Sequence, residues 1–201
     1  ASPQELWHGT KLNKKKVKRD GIIEVFSINR FENIKALDFS NARATSERKE
    51  NLLKQIPQTP LEEVNFRGNR MSGVRGEVLA EGVAHLKTVN LSWTWLSTSQ
   101  SITVLEASIE AGSLEKISLR GVLLYPVYDT FLHRAFGYLP GGVPTTLLAR
   151  AIGRLQSIDL RHTGLTTQQS RAILEANFPQ IDIKSSDSPG AVLKQSKNIT
   201  R

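Results

Sequence analysis

The chain has 201 residues, a formal net charge of +8 and no cysteine, and 39% of its residues are hydrophobic. That length suits one domain with a core of its own, and the apolar share is slightly low for a compact globule. Without cysteine there is no disulfide, iron–sulfur cluster, thiolate zinc site or cysteine nucleophile, and the positive charge favours acidic partners such as nucleic acid, anionic lipid or an acidic protein face.

Residues 1–20 read as a flexible, polar, basic arm that ends in Lys14-Lys15-Lys16-Val17-Lys18-Arg19. Lys15-Lys16-Val17-Lys18 has the spacing of a nuclear-import signal. The same run, Lys14, Lys15, Lys16, Lys18 and Arg19, also suits non-specific phosphate contact or a plain solvated tail. An apolar cluster at Ile22, Ile23, Val25, Phe26, Ile28 and Phe31 follows. It is expected to form a short cap over 21–33. No apolar run reaches the length of a membrane span and no signal-peptide h-region is visible. The chain begins at Ala1, as a processed or expressed fragment would, so the missing leader carries little weight.

From residue 34 the pattern L-x-x-L-x-L-x-x-N-x-L recurs. Its skeleton places are Ile34, Leu37, Phe39, Ala42 and Ala44, then Leu61, Val64, Phe66, Asn69 and Met71, then Leu86, Val89, Leu91, Thr94 and Leu96. They continue as Leu114, Ile117, Leu119, Val122 and Leu124, then Leu155, Ile158, Leu160, Thr163 and Leu165, and break off after Phe178, Ile181 and Ile183. Units starting at 34, 61, 86, 114, 155 and 178 are 27, 25, 28, 41 and 23 residues apart. Alternation over the first half of each unit predicts a short strand. The second half predicts a returning helix. Leu52, Leu53 and Ile56 form one such helix face, ending at Pro57. Ile102, Leu105, Glu106 and Ile109 form another, with Thr98 and Ser99 as caps and Gly112 as the stop, and Ile173, Leu174 and Phe178 a third. After Lys184 the sequence is Ser-rich and aperiodic, and 185–201 is expected to be a flexible tail.

This pattern resembles the ribonuclease-inhibitor-like subclass of the leucine-rich repeat superfamily, over roughly three-quarters of the chain. The resemblance implies an α/β fold: a right-handed solenoid, or horseshoe, with a parallel sheet of about six strands on the concave face and helices on the convex face. The domain would span 21–184. Extracellular members usually carry cysteine-rich caps, so the resemblance implies an intracellular protein, in nucleus or cytoplasm. In the family the ninth position is an Asn that hydrogen-bonds backbone inside the turn. Here only Asn69 keeps it, Thr94 and Thr163 are substitutes, and at Ala42 and Val122 another group must serve.

Side chains between the apolar places point outward, onto the concave sheet. Position five reads Asp38, Asn65, Asn90, Ser118, Asp159 and Asp182; position seven reads Ser40, Arg67, Ser92, Arg120, Arg161 and Lys184. A basic column beside a polar-to-acidic one is either a solvated surface with local ion pairs or a docking face for an acidic partner, since the Arg fork grips carboxylates. Trp93 and Trp95 stand at positions eight and ten, where other units hold small or polar residues; they either cover a neighbouring turn or serve as exposed anchors. The long fourth unit carries an insertion over 125–144 with Tyr125, Tyr128, Phe131, Phe136 and Tyr138. It either packs its aromatics on its own helix or binds, as repeat insertions often do.

Catalytic signals are missing. The four histidines, His8, His85, His133 and His162, are scattered, and no H-E-x-x-H, P-loop, G-x-G-x-x-G or G-x-S-x-G occurs. The sequon Asn90-Leu91-Ser92 falls in an expected strand. The reading is a non-catalytic protein–protein interaction module, scaffold or adaptor, without cofactor, metal or membrane span, for a protein partner with an acidic or mixed surface. Its contacts are expected at Arg67, Trp93, Trp95, Arg120, Arg161, Lys184, Tyr125, Tyr128, Phe131 and Tyr138. The alternative is a nucleic-acid-contacting subunit of a ribonucleoprotein or chromatin complex, acting through the basic arm.

Overall fold

A computed structural model describes residues 35–124 and 142–165, the helical residue Ile173 and the strand Val192–Lys194. Five three-residue strands follow one another in chain order: β1 (Ala36–Asp38), β2 (Glu63–Asn65), β3 (Thr88–Asn90), β4 (Lys116–Ser118) and β5 (Ser157–Asp159). All four pairings among them are parallel. Parallel neighbours need a crossover connection, and helices supply it: α1 (Ser46–Gln55), α2 (Gly76–Ala84), α3 (Thr98–Ala111) and α4 (Thr145–Arg154). The class is therefore mixed α/β, with each helix packed on the next.

The register follows from the apolar places. Leu37, Val64, Val89, Ile117 and Ile158 stand side by side at the strand centres and are all buried. The residue just beyond each strand also turns inward, as Phe39, Phe66, Leu91, Leu119 and Leu160, and joins Leu52, Leu53, Leu79, Leu105 and Leu148 of the helices in one core. Hydrogen bonding between units runs past the strands: Phe39 N donates to Asn65 O (2.9 Å) and Asn41 N to Arg67 O (2.8 Å), and later units repeat both bonds.

Beside β5 the sheet ends in β6 (Val192–Lys194), which is antiparallel and pairs Ile158 with Leu193. The segment expected as a tail thus contributes a strand, in the place the repeat pattern gives to a sixth parallel one. Phe178, Ile181 and Ile183, like Ile34, the cap at 21–33 and the arm at 1–20, lie outside the described residues.

Caps mark the helix starts. Thr45 Oγ1 accepts from Arg48 N at 3.3 Å before α1. At α3 the cap is Ser97, one residue ahead of the expected Thr98: Ser97 Oγ accepts from Gln100 N (3.1 Å) while Gln100 Oε1 accepts from Ser97 N (2.8 Å). Gln100 Nε2 also donates to the Met71 carbonyl at 2.9 Å, tying the box to the preceding unit. Leu105 and Ile109 are buried as the period requires, but Glu106, placed with them from sequence, is exposed. Gly112 closes the helix at φ +68°, as expected.

At the strand entrances a column of alternating charge crosses the sheet edge: Lys35, Glu62, Lys87 and Glu115. Glu62 accepts from Lys35 Nζ at 2.8 Å and from Lys87 Nζ at 2.7 Å. Those two hydrogen bonds pull its carboxyl down to about 2. A carboxyl lowered by folding contributes stability above its unfolded value near 4.5, and that contribution is lost as pH falls towards 2. Glu62→Gln is therefore expected to lower Tm slightly at neutral pH and to leave it unchanged near pH 2. Thermal melts across that range check it, and an equal loss at both ends refutes it. The effect stays small because the pair is exposed and screened.

Candidate rim of strand-exit turns

Position five, expected as displayed surface, has an internal task in four of the five units. Asp38 Oδ1 accepts from Ser40 N (2.9 Å), Asn65 Oδ1 from Arg67 N (3.1 Å), Asn90 Oδ1 from Ser92 N (3.0 Å) and Asp159 Oδ1 from Arg161 N (3.1 Å). Each side chain thus caps the turn two residues on. In the fourth unit Ser118 Oγ lies 2.7 Å from Ser92 Oγ instead.

Position seven divides. Arg67 is exposed. Arg161 is clamped to Asp159 through Nε (2.9 Å) and a terminal nitrogen (2.7 Å). Burial acts to raise the Asp159 carboxyl. Hydrogen bonds from the Arg161 side chain and backbone, with the charges of Arg161 and Arg120, outweigh that and hold it below the usual range. Arg120 is half-buried, and its Nε is buried without a hydrogen-bond partner among the described residues. The column is therefore uneven: Arg67 and Arg120 have charge to offer, whereas Arg161 is satisfied at home. Charge reversal at Arg161 would set two carboxylates together and test folding as much as docking.

Every strand exit bends the same way. Position eight holds Asn41, Gly68, Trp93, Gly121 and His162, all with positive φ between +52° and +73°. Outside glycine that conformation costs about 1–2 kcal/mol. It persists because the amide there is held by the next unit, as in Trp93 N to Arg120 O at 2.8 Å. At Asn41 and Trp93 the bend throws the side chain over the following turn. Trp93 lies on Gly121, where an added Cβ would meet the ring at 2.3 Å, and reaches His162, with ring centroids 5.9 Å apart and planes 28° from parallel. Asn41 covers Gly68 in the same manner.

Trp93 is thus the tryptophan that covers a neighbouring turn, and 42% of it remains exposed. Trp95, at position ten with φ +57°, is the open one, 71% exposed. The Arg70 guanidinium stands 6.0 Å from its ring centre, a cation–π distance. Leu123 holds position ten of the next unit and is 56% exposed. Leu123 is not among the contacts expected from the sequence. What singles it out is that two successive position-ten residues are large and apolar.

Compared with protein-family models and with curated proteins, the sequence matches none of them.

Beneath the rim Lys49 of α1 is buried, and its ammonium donates to the Arg70 carbonyl. Burial first, then the Arg70 charge, lowers its pKa. Sequence alone gives no hint of this, because a lysine on a helix reads as solvated. Within the insertion read at 125–144, the N–H of Val143 donates to the carbonyl of Leu124, the residue just before that insertion, at 3.0 Å. Tyr125, Tyr128, Phe131 and Tyr138 lie outside the described residues, as do Lys184 and the basic run Lys14 to Arg19. Among the described residues no cluster of three or more His, Asp or Glu is placed to hold a metal, and no helix is long and apolar enough to cross a membrane. The rim offers apolar contact and guanidinium forks; it contains no nucleophile–base pair.

Proposed function

We propose that the chain is a leucine-rich repeat solenoid of the ribonuclease-inhibitor-like type, serving as a non-catalytic protein-docking module in a larger assembly. In-order parallel pairing of single-turn strands, one helix per crossover, and the shared position-eight bend support the solenoid. The observation that carries docking is the exposure of Trp95 and Leu123 at position ten of successive units, with Trp93 two residues before Trp95. Tryptophan and arginine dominate the energetic centres of interfaces, and the other large apolar side chains among the described residues are buried or partly buried.

The contact centre is the rim rather than the concave column, because position five is occupied with turn capping and Arg161 with Asp159. The paired substitution Trp95→Ala with Leu123→Ser removes the pad without touching the core. Capture from the native source is expected to lose its partner with this variant while Tm stays at the wild-type value. Retention of the same partner refutes the reading. The competing role, a subunit of a ribonucleoprotein or chromatin complex, draws support from the net charge of +8. It predicts a binding constant that falls steeply with added salt, since phosphate contacts release counterions.

A further inference from the structure

The strand-exit turns carry positive charge with no carboxylate among them. Segments 39–45, 66–74, 91–97, 119–124 and 160–165 contain five arginines, at 43, 67, 70, 120 and 161, and not one Asp or Glu. Of these arginines only Arg161 forms an ion pair among the described residues. On the strands Asp38, Glu63 and Asp159 stand together with Lys116. The turns thus form a net positive strip, and the exposed Trp95 and Leu123 lie within it.

We propose that this strip takes a short acidic peptide segment bearing large apolar side chains, laid across the turns at right angles to the strands. This rests on the docking reading above and specifies its partner. The five turns are four strand spacings of about 4.8 Å apart in total, roughly 19 Å, which an extended segment of about six residues spans. Carboxylates of such a segment meet Arg67, Arg70 and Arg120, whose planar forks hold them in two-point contact. Its apolar side chains meet Trp95 and Leu123 on adjacent turns. The unpartnered Nε of Arg120 adds a buried donor at the strip's inner edge.

The same charge would attract single-stranded nucleic acid, which binds by stacking successive bases on aromatic faces. The strip offers no such succession. Trp93 already has one face on Gly121 and His162, and Leu123 has no ring, which leaves Trp95 as a lone platform. An apolar pad of one ring and one branched chain fits side chains better than bases.

The test uses the whole chain and tryptophan-free probes of about ten units: Glu alternating with Leu and Phe, Lys alternating with Leu and Phe, Glu alternating with Ser, and oligothymidylate. Binding is read by calorimetry and by tryptophan fluorescence. The Glu–Leu/Phe peptide is expected to bind one to one, and Trp95→Ala and Arg70→Glu are each expected to weaken it about tenfold or more, with unchanged melting. Equal binding of the Lys or the Glu–Ser peptide overturns the proposal, as does indifference to both variants or failure of every probe to bind. Should the Lys peptide bind and Trp95→Ala abolish it, docking at the rim survives and the acidic chemistry falls. Should oligothymidylate alone bind, both fall. When no probe binds, the partner chemistry falls, and docking itself is judged by capture with the Trp95/Leu123 variant.

Discussion

Asn69→Ala is expected to cost about 3–5 kcal/mol of folding stability, because it removes hydrogen bonds to backbone groups of two units and leaves two groups of the first unit without a partner among the described residues. The Asn69 amide donates to the Phe39 carbonyl (2.7 Å) and the Phe66 carbonyl (2.9 Å), and its oxygen accepts from Ala42 N (3.1 Å). Phe66 O keeps a second donor in the Asn69 backbone N–H at 3.1 Å. Phe39 O and Ala42 N have no such reserve among the described residues. The first unit, with Ala at its own ninth position, is thus completed by the Asn of the second. Thr94 and Thr163 do less: each hydroxyl donates to the carbonyl three residues back, at 2.6 Å, within its own unit. Asn69→Thr is therefore expected to recover the bond to Phe66 O and leave the first unit unserved, so its loss should fall between wild type and Ala. Urea unfolding measures all three, and a loss below about 1 kcal/mol for Asn69→Ala contradicts the argument.

Gly121→Ala is expected to destabilise by about 2–3 kcal/mol, more than any surface substitution on the rim. Two penalties combine. The backbone there has φ +72°, and the new Cβ meets the Trp93 ring at 2.3 Å. The ring must leave its seat and its contact with His162, so the near-ultraviolet circular dichroism of tryptophan should change with the stability. A double-mutant cycle separates the penalties. In a Trp93→Ala background the collision is gone, and Gly121→Ala should cost only about 1–2 kcal/mol, the left-handed backbone alone. Equal costs in both backgrounds would mean that the ring moves aside freely.

Much of the fold could be read from the chain, and the reasons are local. Alternation at Leu37–Phe39, Val64–Phe66 and Ile117–Leu119 assigns the inward residues because only one face of a half-buried strand meets the core. The α1 face at Leu52, Leu53 and Ile56 and the Gly112 stop follow from helical period and left-handed capping in the same way. Outward residues are another matter. Asp38 and Asn65 look like display and act as turn caps, since an Asx side chain reaches its own backbone two residues on more readily than a partner. Of the two readings left open for the basic column, Arg161 takes the local ion pair, folding back on Asp159. Position eight hides its bend at Trp93, because Trp, unlike Gly, Asn and His, does not favour positive φ, so the seat of Trp93 on Gly121 emerges only when adjacent turns are stacked. The strand at Val192–Lys194 has no period to reveal it.

The alternating column Lys35, Glu62, Lys87, Glu115 also bears on how units find their neighbours. In a chain whose units pair with the next one along, one misassembly is to skip a unit and join the one after it. Skipping would set Lys35 against Lys87, or Glu62 against Glu115, like against like at hydrogen-bonding range. A shared charge at every entrance would treat correct and skipped partners alike; alternation tells odd units from even ones. The column thus works as a parity check on assembly, most selective at low ionic strength and blunted by salt.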